Sequence, residues 1–278
     1  MSVVRDRQRS TSRSTARRVP KGAAWRVTLR GDAPIYALSV ISMLVIWQII
    51  ASVFFTPLFF PTPLVVLAKG WQMVTNGTIL GHIGISLQRI LMGFFIGSAL
   101  GAPIGLFMGN YRPIKAFFDP YLQFFRFVPS IAWLTPAVIW FGIGETPKVL
   151  IIVYTTIFIV IINTIVGVSN VSMNKTWAAR SLGATSAQTF LYVILPATLP
   201  FILTGMRLAM GNSFATVVAA EMVAADKGIG FLIFDSRLWM ATDTIFLAIV
   251  MLGTLGFMTD RLFLYMIRRF AHQYGPVE

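Results

Sequence analysis

Apolar residues in this chain form long, uninterrupted runs rather than the amphipathic patterns of a soluble domain. Five runs are long enough to cross a bilayer, at residues 35–55, 90–108, 149–168, 201–223 and 245–267. A transmembrane helix needs about 20 consecutive apolar residues. Each run therefore predicts one membrane-spanning helix.

A sixth apolar stretch, residues 113–142, is interrupted by polar residues and prolines. Asp119 and Pro120 interrupt its first half, and a second break runs from Arg126 to Pro129. Proline is tolerated in a membrane where neighbouring helices satisfy the freed backbone groups. The stretch predicts one broken span, and the predicted fold class is an all-α integral membrane protein with six transmembrane helices.

Residues 174–196 are a polar interruption with strong helix-terminating signals. Asn174 is expected to cap a short helix whose last periodic residue is Leu182, and Gly183 follows where a left-handed cap belongs. This pattern predicts a structured turn rather than a loose connection.

A second helix is expected directly after that turn. Thr185 and Gln188 have the T-x-x-Q spacing of a capping box, and the helix is expected to end before Pro196. Long apolar runs flank the pair, so it would form a helical hairpin at the membrane surface.

The second predicted span carries small residues at a fixed interval. Its glycines recur every four residues, at Gly93, Gly97, Gly101, Gly105 and Gly109. Residues four apart share one face of a helix, and glycine lets a neighbouring backbone approach closely. The stripe predicts helix packing within the chain, with a dimer seam or a pore lining as alternatives.

Composition supports a membrane protein without chemistry of its own. Only 12% of the 278 residues are charged and mean hydropathy is +0.75, whereas soluble domains carry about 25% charged residues. Cysteine is absent and the two histidines, His82 and His272, are far apart, so we expect no metal site and no cofactor. Neither a Walker A motif nor a G-x-S-x-G elbow occurs. We therefore predict that the chain is not an enzyme.

The net charge of +13 is concentrated at the N-terminus. Nine of the 23 Lys and Arg residues lie in the first 30 positions, and residues 1–34 are predicted to be a disordered, basic cytoplasmic arm. With that arm inside, sixteen basic residues are cytoplasmic and four external. This bias predicts two cytoplasmic termini and contact with anionic lipid, and we expect no nucleic-acid partner.

The hairpin motifs resemble those of a known family. Ala178-Ala179, Gly183 and Ile194-Leu195-Pro196 resemble the EAA loop of binding-protein-dependent ABC importer permeases, with Trp177 in place of the usual acidic residue. The segments Arg126-Phe127-Val128-Pro129 and Val218-Ala219-Ala220-Glu221-Met222 resemble the nitrate, sulfonate, taurine and bicarbonate branch.

The resemblance implies a fold, partners and docking residues. It implies a type I importer permease (MetI-like) fold, with a first transmembrane helix at 35–56, a transmembrane domain at 80–268 and a coupling loop at 170–196. Cytoplasmic ABC ATPase subunits, an external solute-binding protein and a second permease copy in the inner membrane are the implied partners. The coupling residues would be Trp177, Ala178, Ala179, Leu182, Gly183, Phe190 and Pro196.

Polar residues within the predicted spans are candidates for the translocation path. They are Arg126, Ser130, Asn163, Asn212, Ser213, Thr216 and Glu221. Arg126 would either stabilise the helix break or face an anion path, and the uncharged residues would either bond between helices or line the pore. We expect Glu221 to pair with Lys227 or Arg237, and Arg207 to extend to the cytoplasmic surface.

The predicted function is therefore transport of a small solute. The resemblance implies an ATP-driven importer of an oxyanion such as a sulfonate, taurine, nitrate or bicarbonate. A nucleotide-independent channel or secondary transporter is the alternative, although the spans lack the paired carboxylates typical of proton coupling.

Overall fold

The computed structural model describes residues 33–270. All but the last two positions of the predicted arm 1–34 lie outside this range, as does His272. Within the described range the backbone is helical almost throughout, and these residues form no β-strand.

The helices are numbered in chain order. They are α1 Ala33–Phe54, α2 Pro63–Thr75, α3 Thr78–Asn110, α4 Arg112–Phe127, α5 Leu134–Phe141, α6 Glu145–Ser169, α7 Met173–Ser181, α8 Ser186–Thr189, α9 Leu195–Ala224, α10 Ile229–Leu238 and α11 Thr242–Phe270. A 3-10 turn, Ser130–Trp133, precedes α5, and a π-helical segment, Phe190–Ile194, joins α8 to α9.

Five helical stretches in the described range are long and apolar enough to cross a membrane. They are Pro34–Phe54, Thr78–Asn110, Glu145–Ser169, Ser186–Ala224 and Thr242–Arg269. The pair α4 and α5 is bent by 91°, which makes six when the pair is taken as one span. The predicted fold class is confirmed, including the break in the third span.

Two segments of the sequence interpretation differ from the structure in length or content. The second span begins at Thr78 rather than at residue 90, because its early polar residues, among them Ser86 and Arg89, bond to neighbouring helices. Residues 226–243, which lie between the last two predicted spans, contain α10.

The chain divides into two units, Met1–Ile49 and Ile50–Glu278. The described part of the first unit is the N-terminal portion of α1, whose span has a mean hydropathy of 2.2. The second unit contains the remaining helices. In it, α6 packs on one side against α3 and on the other against α9.

Glycines set the spacing of these three helices. A Cβ atom added at Gly97 or at Gly105 would lie 2.6 Å from the Cβ of Thr156 or Thr164 on α6. Gly93, Gly101 and Gly109 also face α6, so the whole stripe packs within the chain. On the other side, Gly205 of α9 packs against Asn163.

Chain direction defines two ends of this bundle. Helices α6 and α11 start, and α9 finishes, at one end, here called the Glu145 end, where α10 is also located. Helices α3 and α6 finish at the opposite end, here called the Asn170 end, where α7 and α8 form a hairpin before α9 begins. The two ends carry the two candidate functional regions.

Candidate functional site

The hairpin at the Asn170 end is a compact turn fixed by backbone hydrogen bonds. Gly183 has φ +82°, which confirms the predicted left-handed cap. Its N–H donates to the Arg180 carbonyl at 2.9 Å, and the Ala184 N–H donates to the Ala179 carbonyl at 3.1 Å. These two bonds are the pair that defines a Schellman motif, so the end of α7 is rigid.

The start of α8 is fixed by side chains. The Gln188 N–H donates to Thr185 Oγ1 at 3.3 Å, and the Thr185 N–H donates to Gln188 Oε1 at 2.8 Å, which confirms the predicted capping box. The predicted cap of the first helix was wrong. Helix α7 begins after Ser172, and Asn174 lies inside its first turn.

The second helix of the hairpin does not end before Pro196, contrary to the prediction. It continues through the π-helical segment Phe190–Ile194 into α9, so that Ser186–Ala224 is one span of 39 residues. Proline has no backbone N–H to donate within a helix. In the π-helical segment immediately before Pro196, hydrogen bonds join residues five apart instead of four, and the helix continues past the proline. The Thr198 hydroxyl also donates to the Ile194 carbonyl at 2.8 Å.

Side chains on the hairpin are available to a partner. Leu182 is 89% exposed and Trp177 is 58% exposed, although both are large and apolar. Ala178 and Gly183 are also exposed, whereas Ala179, Phe190 and Pro196 are partly buried. An exposed apolar group on a rigid turn is typical of a docking surface.

Half-way along the bundle, three of the predicted path residues come together. Arg126, Ser130 and Asn212 line a cavity of about 360 Å³ beside the break between α4 and α5. Tyr154 and Thr155, which the sequence interpretation missed, line the same cavity. This cavity is therefore the candidate site within the membrane.

The break itself is stabilised by a tyrosine rather than by Arg126. The Tyr154 hydroxyl donates to the Phe125 carbonyl in the last turn of α4 at 2.6 Å, and the same carbonyl accepts from the Val128 N–H at 3.1 Å. Arg126 makes no such bond, and its guanidinium lies 4.7 Å from the centre of the Phe127 ring. The contacts in the structure therefore do not support the alternative in which Arg126 stabilises the helix break.

The other uncharged candidates lie elsewhere. Ser213 is 3.3 Å from Thr156 and Thr216 is 3.1 Å from Thr155, each pair joining α9 to α6 by a hydroxyl hydrogen bond. Asn163 donates to the Ile159 carbonyl of its own helix at 2.8 Å. These three residues are at the α6–α9 interface and do not line the central cavity.

Glu221 has a different partner from the one expected. It is fully buried and accepts hydrogen bonds from Arg89 Nη1 at 2.8 Å and from the Gly230 N–H at 2.8 Å. Ser86 Oγ donates to the same carboxylate at 2.7 Å. The predicted pairing with the Lys227 or Arg237 side chain was wrong.

Arg89 is the centre of this cluster at the Glu145 end. Its guanidinium donates to both oxygens of Glu145, at 2.5 and 2.6 Å, and to the Lys227 carbonyl at 2.7 Å. The buried ammonium of Lys148 donates to Glu145 at 3.1 Å. Two cations and two carboxylates therefore connect α3, α6 and α9, and their formal charges cancel.

Sequence reasoning could have found Arg89 but not its partners. A cation at membrane depth requires a counter-charge, and Arg89 directly precedes the predicted span 90–108. Glu221 is 132 residues away in the chain, and nothing in a single sequence joins the two positions.

Arg207 is also paired, contrary to the expectation that it extends to the surface. Its Nε donates to Asp260 Oδ1 at 2.7 Å and its Nη2 to Oδ2 at 3.1 Å. The fork ties α9 to α11 in the half of the bundle nearer the Asn170 end. Because its charge is paired with Asp260, the Arg207 side chain does not need to extend to the aqueous phase.

A larger cavity opens at the Glu145 end. It has a volume of about 740 Å³ and is lined by α5, the start of α6 and the end of α9. Glu145, Lys148 and Asp226 are its charged residues. The charge cluster around Arg89 therefore borders an opening large enough for a small solute.

Comparison with known proteins agrees with this arrangement. Residues 101–272 match the family described as binding-protein-dependent transport system inner membrane component. The taurine transport system permease protein of Escherichia coli is 36% identical over 261 residues, covering 91% of this chain and 94% of that protein. The nitrate import permease protein of Leptolyngbya laminosa is 32% identical over 259 residues, covering 89% and 91%.

A further relative and two solved structures support the same assignment. A probable ABC transporter permease protein of Brucella melitensis is 41% identical over 202 residues, covering 73% of this chain and 82% of that protein. The fold matches the inward-facing MetNI methionine ABC transporter with a TM-score of 0.62 at 16% identity, covering 72% and 97%. An amino acid ABC transporter matches with a TM-score of 0.58 at 20% identity, covering 73% and 97%. The chain belongs to the family of inner-membrane components of binding-protein-dependent transport systems.

Proposed function

We propose that the chain is the permease subunit of an ATP-driven importer and that it forms the membrane path for a small oxyanion. The relatives named for taurine and nitrate support this solute class. Sulfonates and bicarbonate belong to the same class. ATP hydrolysis takes place on separate ABC ATPase subunits, because the chain has no Walker A motif.

The observation that carries the proposal is the rigid, exposed hairpin at the Asn170 end. The Schellman motif and the capping box hold two short helices at a fixed angle, and Leu182 and Trp177 present apolar surface. We assign this surface to the ATPase, with the Asn170 end and both termini in the cytoplasm. The basic arm 1–34 is consistent with that orientation.

Two copies of the chain would enclose the path. Large apolar side chains along α4 and α5 are exposed, including Phe124, Phe127, Ile139 and Trp140. A second permease copy on this surface would complete the transmembrane domain, residues 80–268, around the bent pair. The external binding protein would then deliver its solute at the Glu145 end.

The cap at Gly183 provides a direct test of coupling. Apart from its two chain neighbours, no described residue has an atom within 4 Å of a Cβ added there, so a substitution acts through backbone strain. A β-branched residue at φ +82° costs roughly 1–2 kcal/mol, whereas asparagine tolerates this conformation. In proteoliposomes with the ATPase and binding protein, Gly183→Val should lower uptake per ATP hydrolysed, and Gly183→Asn should not. Normal coupling in the valine variant would contradict the docking role.

A second test asks where the ATPase binds. Leu182→Asp should weaken co-purification of the ATPase, because it places a charge on the exposed apolar surface. Trp239→Asp is the matched control, since Trp239 is also a large exposed side chain but follows α10 at the opposite end. Equal retention of the ATPase by both variants would remove the hairpin from the interface.

The alternative is a channel or secondary carrier that works without nucleotide. Purified chain in liposomes distinguishes the two functions. Solute flux that needs neither ATP nor an ATPase would establish the alternative and overturn the importer.

A further inference from the structure

We propose that Arg126, with Ser130 and Asn212, forms an oxyanion-binding subsite half-way through the membrane. The inference rests on the proposed function, since it assigns a residue-level contact to the solute that crosses the permease. It begins with the position of the cavity. Phe158 and Asn212, which line it, lie near the middle of the 25-residue helix α6 and of the 30-residue helix α9.

Arg126 is an unpaired charge at that depth. Among residues 33–270, the ion pairs within 4.0 Å join Lys69 to Asp243, Arg89 and Lys148 to the carboxylates at the Glu145 end, and Arg207 to Asp260. None includes Arg126, whose guanidinium instead lies over the face of the Phe127 ring. A cation at membrane depth without a protein counter-charge requires water or an anion.

The cavity supplies polar partners without a competing acid. No carboxylate is among the residues that line it. Tyr154 uses its hydroxyl on the Phe125 carbonyl. Asn212 donates one of its two amide N–H groups to the Leu208 carbonyl at 3.0 Å, so the second N–H remains for a ligand. Ser130 makes no side-chain hydrogen bond within the described residues and remains free to donate to a ligand.

The size of the cavity restricts the ligand. Its volume of about 360 Å³ is at the lower end of the range for small-molecule sites, roughly 300–1,000 Å³. A planar guanidinium presents paired N–H donors that match the oxygens of a sulfonate, carboxylate or nitrate. The geometry therefore selects a small anion with at least two oxygens rather than a neutral solute of the same shape.

A polar route leads from this subsite towards the Asn170 end. Arg126 also lines an adjoining cavity of about 180 Å³, together with Lys115, Asp119 and Gln123 of α4. These side chains are spaced by three or four residues and share one face of the helix. Asp119 also lines this second cavity, but it forms no ion pair with Arg126 within the described residues. An anion leaving Arg126 along this face would pass Gln123 and Asp119 before it reached Lys115.

The test measures anion binding to the full chain in lipid nanodiscs by calorimetry, without the ATPase. The probes are methanesulfonate and its uncharged analogue dimethyl sulfone, and the variants are Arg126→Gln, Arg126→Lys and Arg261→Gln. Arg261 is the matched control, because its guanidinium also lies over a phenylalanine ring, 4.8 Å from Phe257, but outside the cavity.

Wild type should bind methanesulfonate and not dimethyl sulfone. Arg126→Gln should weaken binding by about tenfold or more, since hydrogen bonds to a charged group are lost. Arg126→Lys should recover part of the affinity, and Arg261→Gln should match wild type. Equal thermal unfolding of the two glutamine variants would show that Arg126→Gln is folded.

Three results would overturn the subsite. They are equal methanesulfonate binding by Arg126→Gln and wild type, equal binding of both probes, and no binding of methanesulfonate to wild type. None of these results depends on the ATPase, so failure of the subsite is separable from failure of the proposed coupling at the hairpin.

Discussion

Truncating Glu221 should destabilise the protein strongly, because it leaves a buried arginine without half of its charge partners. Glu221 is 0% exposed and Arg89 is 2% exposed. In Glu221→Ala, Arg89 keeps Glu145 and the Lys227 carbonyl, while the Ser86 hydroxyl and the Gly230 N–H lose their acceptor. Breaking one partner of a buried ion pair typically costs about 3–5 kcal/mol.

A more exposed ion pair at the same end of the bundle provides the comparison for this loss of stability. Lys69 and Asp243 are 3.7 Å apart and about one-third exposed, at 30% and 31%. A pair of this kind contributes roughly 0–1 kcal/mol, because solvent screens it. Lys69→Met should therefore cost several-fold less than Glu221→Ala, although both remove one member of an ion pair.

The assay is denaturant unfolding of the full chain in detergent micelles, followed by tryptophan fluorescence. The double variant Arg89→Met with Glu221→Met should lower the free energy of unfolding by less than the sum of the single variants Arg89→Met and Glu221→Met. Each single variant leaves one buried charge without this partner, whereas the double variant removes both charges. If Glu221→Ala costs no more than Lys69→Met, the buried cluster does not hold α3 and α9 together and the reasoning fails.

Three further predictions concern packing and the hairpin. Gly97→Ala should cost about 1–3 kcal/mol, since its Cβ would overlap Thr156. Gly84→Ala in the same helix meets no atom of another helix within 4 Å, so in the same unfolding assay it should not destabilise and should gain up to about 1 kcal/mol from the better helix propensity of alanine. Thr185→Ala should remove about 1 kcal/mol of cap stabilisation and raise the Kd for the ATPase, whereas Thr185→Ser should leave that Kd unchanged. Tyr154→Phe should cost about 0.5–1.5 kcal/mol, because the part-buried Phe125 carbonyl loses the hydroxyl donor but keeps the Val128 N–H. Tyr265→Phe, at an exposed position of α11, is the control, and equal stability of the two variants would refute the tyrosine's role at the break.

Features decided by local sequence were predictable. The length of an apolar run determines whether it can span a bilayer, so the spans followed from the sequence. The left-handed cap at Gly183 and the capping box at Thr185 involve residues within a few positions of one another. Such features need no knowledge of the rest of the fold.

Features that depend on distant segments were not predictable. Lys227 and Arg237 were proposed for Glu221 because they are near it in sequence, whereas the true partner, Arg89, is on a different helix. Pro196 was expected to end a helix because proline usually does so. The π-helical segment before it, which lets the helix continue, is not visible in the sequence. Which polar side chains share the central cavity depends on how α4, α6 and α9 pack.

The unbroken course of the chain through Pro196 joins the hairpin to the buried cluster. Ser186 and Glu221 lie on one continuous helical stretch of 39 residues, about 58 Å of helix at 1.5 Å per residue. The hairpin and the Glu221 carboxylate are therefore connected through a single helix, although they lie at opposite ends of the bundle. In the proposed importer, any opening at the Glu145 end that separates α3 from α9 would have to break the contacts of Arg89 with Glu221 and the Lys227 carbonyl.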